Sequence, residues 1–96
     1  MGFEKIDNSN FDSQVLQSEK PFLLEFGAVW CGPCKRLEPE LEQLKNSWGD
    51  RIRLGKLDVD EAVDVTMRFS ILSFPSVMLF VGGQVRERIS GYQPLP

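Results

Sequence analysis

Trp30-Cys31-Gly32-Pro33-Cys34-Lys35 carries the only two cysteines in a chain of 96 residues. The apolar run Phe22-Leu23-Leu24-Glu25-Phe26 leads into it. A near-continuous apolar segment over residues 21–27 reads as a central strand covered on both faces. Beyond the motif, Cys34, Leu37, Leu41, Leu44 and Trp48 recur at spacings of three and four. Lys35, Arg36, Glu38, Glu40, Glu42 and Lys45 fall on the other faces, so the spacing predicts a helix over 32–48. Pro39 is expected to kink it, and Gly49-Asp50 to stop it. Two thiols at i and i+3 on a first helical turn share one face, close enough to bridge.

Working outward, residues 3–6 form a short strand. Ser9 with Asp12 resembles a capping box opening a helix over 10–18, with Phe11 and Val15 facing inward. Residues 51–58 alternate as a strand, and Asp60 caps a helix over 61–69 with Ala62, Val65 and Phe69 on one face. After the loop from Ser70 to Phe74 and Pro75 comes the apolar strand 76–81. Gly82-Gly83 reads as a tight hairpin turn into strand 84–90. The order β-α-β-α-β-α-β-β predicts an α/β fold, parallel strands first and an antiparallel hairpin last. One domain over residues 1–96 accounts for the length, with no repeats or linkers.

Apolar content of 42% and charged content of 26% are ordinary for a soluble globular protein. A net charge of −3, with mixed signs and no basic stripe, disfavours nucleic acid and anionic membrane partners. No apolar run approaches the roughly 20 residues that span a bilayer. Met1-Gly2-Phe3-Glu4-Lys5 lacks the basic start and apolar core of a signal peptide, and Gly2 lies in no myristoylation signal. Two cysteines are too few to staple a secreted fold, so a reducing cytoplasmic setting is expected.

At a helix N-terminus, unpaired N–H groups and the helix dipole favour a thiolate, which makes Cys31 the attacking thiol. Cys34, one turn deeper on the apolar face, is then the resolving thiol. Pro33 suits a first turn, where its missing N–H costs nothing. Gly32-Pro33 adds no charge to stabilise the thiolate, which argues for a reductant over an oxidant. Half of an intersubunit metal or iron–sulfur site, and two inert core cysteines, remain as alternatives. Within the chain a zinc site would need further ligands, and there is no histidine or third cysteine, so no metal is assigned.

Two charges stand in apolar strands. Glu25 interrupts the strand before the motif, and Lys56 shares its phase with Ile52 and Leu54, so its stem should point inward. A buried carboxylate is costly unless paired or protonated. Glu25 with a raised pKa is therefore the expected proton partner of Cys34, and Lys56 its electrostatic modulator. An ordinary ion pair between the two is the alternative.

With these residues assembled, the chain resembles the thioredoxin family from about Phe11 to Gly91. Trp30-Cys31-Gly32-Pro33-Cys34-Lys35 matches the family's active-site sequence, Pro39 its kinking proline, and Lys56-Leu57-Asp58-Val59-Asp60 its second crossover. Phe74-Pro75-Ser76 matches the loop whose proline is cis in the family. The resemblance implies that this loop lies against Cys31, with the Phe74 backbone pairing with an extended substrate segment. It also implies a flat apolar surface of Trp30, Gly32, Pro33, Gly91 and Tyr92 around them, suited to varied protein disulfides. Three departures stand out. Glu25 replaces the usual aspartate, as in protein disulfide isomerase domains, and Gly27 replaces an aromatic residue, removing packing behind the active-site loop. Thioredoxins also continue into a C-terminal amphipathic helix, whereas this chain reads Gly91-Tyr92-Gln93-Pro94-Leu95-Pro96. An uncovered sheet face, lowered stability and some tendency of the expected monomer to self-associate would follow.

The implied activity is reduction of protein disulfides through a reversible Cys31–Cys34 pair, with no cofactor beyond that pair. Its partners would be disulfide-containing proteins and a reductase as electron donor. A disulfide oxidase or isomerase, and a non-catalytic binding module on the same fold, are the alternatives.

Overall fold

The computed structural model describes residues 2–91. Five strands make one mixed sheet in the order β1-β3-β2-β4-β5. They are β1 (Glu4–Ile6), β2 (Phe22–Gly27), β3 (Arg53–Asp58), β4 (Ser76–Val81) and β5 (Gln84–Ser90). β1 and β2 run parallel to β3, β4 is antiparallel to β2, and β5 is antiparallel to β4. The expected α/β class and the closing hairpin are both present. Gly82 and Gly83 form its turn with φ of 59° and 80°, a backbone that other residues adopt only with strain.

Alternation along β2 divides the core. Phe22, Leu24 and Phe26 join Phe11, Met78 and Phe80 on one face, beneath the turn before β2 and the helix α2 (Val63–Arg68). The opposite face packs Leu54 and Val77 against Leu37 and Leu41 of α1 (Gly32–Trp48). Glu25 takes the phase of this second face. α1 runs on through Pro39 and closes at Gly49, whose N–H bonds the Lys45 carbonyl.

Four local expectations need correction. The helix expected over 10–18 is a five-residue π-helical turn, Asp12–Leu16. Its entry is organised by Asp7, whose Oδ1 accepts from the Ser9 and Asn10 N–H groups and the Ser9 hydroxyl. Asp12 instead accepts from Arg68 at 3.2 Å, so no Ser9–Asp12 capping box forms, although Phe11 and Val15 are buried as expected. Asp60 does not cap α2, which starts after Ala62 without a side-chain cap. Residues 49–51 form a 3₁₀ turn, so β3 begins only at Arg53. Trp48, expected on the apolar face of α1, is half exposed, with the Arg51 guanidinium over its ring at 5.4 Å.

All of β5 is exposed, including Val85 and Ile89, and among the described residues no helix follows it.

Candidate active site

The site forms where β2 hands over to α1. Cys31 N–H bonds the Ala28 carbonyl at 3.1 Å, closing the connecting loop, and Cys31 itself is extended at the N-cap of α1. Its Sγ accepts the Cys34 N–H at 3.2 Å, placing that sulfur on one of the donors that favour a thiolate. Cys31 and Cys34 are joined in a disulfide with their Cα atoms 5.3 Å apart. Cys34 is fully buried, while Cys31 shows 3% of its surface.

Trp30 lies beside them, 61% exposed, with its indole N–H donating to Asp60 Oδ2 at 2.7 Å. Its ring meets Phe74 edge-on, centroids 5.8 Å apart. The Phe74–Pro75 peptide is cis, and the Pro75 carbonyl accepts the Gly91 N–H at 2.7 Å. Trp30 thus touches Phe74, and the neighbouring Pro75 is tied to Gly91. Gly32 is exposed and Pro33 half-buried, but Pro75 is buried, so it supports the surface without lining it. Tyr92 lies outside the described residues.

Glu25 is fully buried, and neither of its oxygens has a hydrogen-bond donor. Burial, reinforced by the neighbouring Glu38 carboxyl and opposed by Lys56, pushes its pKa up to about 8. A Cβ at Gly27 would lie 3.0 Å from Cys34 Sγ and 3.6 Å from Glu25 Oε2, so sulfur and acid flank the same small space. That glycine also lines a cleft of about 370 Å³ running past Glu25, Glu38 and Lys56.

Lys56 departs from expectation. It is the register neighbour of Glu25 on β3, but its side chain is half exposed and its ammonium pairs with Glu38 Oε1 at 3.2 Å. It leaves β3 on the Leu54 face, as its phase implies, and α1 packs on that same face. Glu38 was not singled out from the sequence, although it follows Cys34 by four residues and so shares its helix face. The Asp60 partner of Trp30 was missed because a cap seemed a sufficient use for that acid.

A disulfide at a strand-to-helix junction, with the helix's own N–H on its outer sulfur, together with a cis-proline entering β4 of this sheet, defines a thioredoxin-like disulfide oxidoreductase. The thioredoxin family model matches residues 2–95. A thioredoxin from Alicyclobacillus acidocaldarius is 40% identical over 89 residues, covering 93% of this chain and 84% of the relative. One from Staphylococcus haemolyticus is 36% identical over 94 residues, covering 98% and 88%. A bifunctional thioredoxin reductase/thioredoxin from Mycobacterium leprae is 39% identical over 87 residues, which are 91% of this chain and 19% of that protein. The chain belongs to the thioredoxin family, and its Cys31–Cys34 pair is a redox-active disulfide of a thiol–disulfide oxidoreductase.

Proposed function

We propose that the protein reduces protein disulfides, cycling between the Cys31–Cys34 disulfide and the dithiol. The observation that carries this reading is the asymmetry of the two sulfurs. Cys31 has the only opening and a backbone N–H on its sulfur, whereas Cys34 is enclosed beside a buried acid.

Recharging begins when a donor thiolate attacks Cys31 Sγ. The electron pair of the S–S bond passes to Cys34, which takes the proton of Glu25. A second donor thiolate then displaces Cys31 as thiolate, leaving the donor oxidised by two electrons. In the forward direction the Cys31 thiolate attacks a substrate disulfide and expels one substrate thiolate. Cys34 gives its proton to the Glu25 carboxylate and attacks Cys31 Sγ, expelling the second. The exposed Trp30 face, with Gly32, Pro33, Phe74 and Gly91, receives the substrate segment. Lys56 acts on Glu25 through its charge, which favours the carboxylate, and also holds Glu38.

The Mycobacterium leprae relative, named for both a reductase and a thioredoxin, supports a thioredoxin reductase as the electron donor. No other cofactor takes part, and a reducing cytoplasm suits the cycle. No described helix is long and apolar enough to cross a membrane.

Cys34→Ser, reduced and mixed with a disulfide-bearing protein, is expected to accumulate a covalent adduct on Cys31, and Cys31→Ser to form none. Equilibration of the wild-type pair against a glutathione redox buffer should give a strongly reducing potential. An oxidising value would favour an isomerase, and a partner retained by a variant lacking both cysteines would favour a binding module.

A further inference from the structure

The Glu25 carboxyl stands in the wall of the cleft with no exposed atom. No part of it reaches solvent and no donor faces it; recharging leaves it a carboxylate, the form the forward step needs, but only as long as it takes up no proton from water in between. A buried carboxylate favours its acid form, so in a reduced protein waiting at neutral pH it recovers a proton, which it must lose again before Cys34 can hand over its own. Each adjustment needs a path to water.

Glu38 supplies one. It stands one turn beyond Cys34 on α1, its side chain 23% exposed, with its carboxyl against that of Glu25 and on the wall of the same cleft. Two adjacent carboxyls can hydrogen-bond only while they hold a proton between them. A proton shared between the two would give the Glu25 oxygens, which otherwise have no partner, a hydrogen bond. The Lys56 ammonium, 3.2 Å from Glu38 Oε1, anchors the outer member and balances the single negative charge of the pair.

We propose that Glu38 is the outlet of a two-carboxyl relay, carrying protons between buried Glu25 and the cleft. The proposal rests on the reading of Glu25 as the proton partner of Cys34. Glu38 touches no sulfur and acts through Glu25, as a positioning residue. The other charges facing the cleft are Lys35 from α1, Asp58 from β3, Glu4 and Lys5 from β1, and Glu61. Glu4 is held by Arg53 and Lys5 pairs with Glu61 at 3.4 Å. On its other flank Glu25 is paired with Val77 of β4, which carries no charge.

The test is single-turnover reduction of a disulfide-linked peptide by the reduced protein, followed across neutral and alkaline pH for wild type, Glu38→Gln, Glu38→Asp and Glu25→Gln. Glu38→Gln is expected to slow the Cys34-dependent step at least about tenfold at neutral pH, a fraction of the roughly 10²–10⁴ that proton-transfer groups contribute. Its inflection should move to lower pH, because a like charge and a hydrogen bond that both hold the proton on Glu25 are gone. Imidazole entering the cleft should restore the rate in proportion to its concentration, whereas wild type should not respond. Glu38→Asp should keep the wild-type profile, since it retains a carboxyl. A wild-type profile for Glu38→Gln, beside a slow Glu25→Gln, overturns the outlet and leaves the role of Glu25 standing. Uniform slowing of Glu38→Gln at every pH without an imidazole response also overturns it, marking a structural role. A wild-type profile for Glu25→Gln refutes the underlying reading itself.

Discussion

Replacing Glu25 by glutamine removes an acid that folding carries out of water into a place without donors. In the folded, oxidised protein its pKa is raised from 4.5 to about 8. Between those values the native state holds a proton that the unfolded chain has released, so stability falls as pH rises. The contribution is fully present below the unfolded value and is lost as pH climbs through about 8. At about 1.36 kcal/mol per pH unit, the interval from about pH 5 to about pH 9 amounts to about 4 kcal/mol. That is a large share of the roughly 5–15 kcal/mol that holds a small domain together. Little else obscures it: the chain has no histidine, and both cysteines are locked in the disulfide. Glu4, held low by Arg53, and Asp7, held low by Ser9, act with the opposite sign and only in the acid limb. Urea denaturation of the oxidised protein at fixed ionic strength is the assay. Wild type should lose about 4 kcal/mol across the interval, while Glu25→Gln should stay nearly flat and exceed wild type at the alkaline end. Parallel curves for the two proteins would refute the reasoning, because they would mean that Glu25 titrates alike folded and unfolded.

Two further substitutions test the packing. Gly83→Ala places a Cβ 2.9 Å from the Leu16 carbonyl oxygen at a φ of 80°. It should cost about 2 kcal/mol or more, whereas Gly82→Ala, with open space around its Cβ, should cost about 1 kcal/mol, compared by thermal melting. Phe80→Ala removes a buried ring that meets Phe11 at 5.7 Å and Phe69 at 5.6 Å. A loss of about 4 kcal/mol in chemical denaturation is expected, and a loss below about 1 kcal/mol would contradict the packing described.

Elements whose signal is local were legible in the sequence. β2 announces itself by an apolar run, α1 by its spacing and the final hairpin by Gly82-Gly83, and each formed where expected. The thiol pair was legible for the same reason, since four consecutive residues fix its geometry. Short polar turns were not. Ser9, Asp12 and Asp60 each had a plausible capping role, but Asp7, Arg68 and Trp30 offered better partners once the chain was folded. The charged wall of the site was legible only in part. Glu25 stood out because a charge in an apolar strand is costly. Glu38 looked like one more polar residue on an exposed helix face, and its closeness to Glu25 depends on how α1 lies across β2. Lys56 was placed near the acid and its charge does act on it, but its ion-pair partner is Glu38, because strand phase says which face a stem leaves and not how far a flexible amine travels.

β2 is hydrogen-bonded along both sides, to β3 and to β4. Opening is uneven within a folded chain: a strand clasped on two flanks is released only when the whole sheet comes apart, while outer strands such as β1 and β5 fray at far lower cost. The acid therefore rides on the last part of the molecule to let go, and the sulfurs sit on the first turn of the helix that follows it. Breathing at the rim can come and go without altering the spacing between carboxyl and thiol.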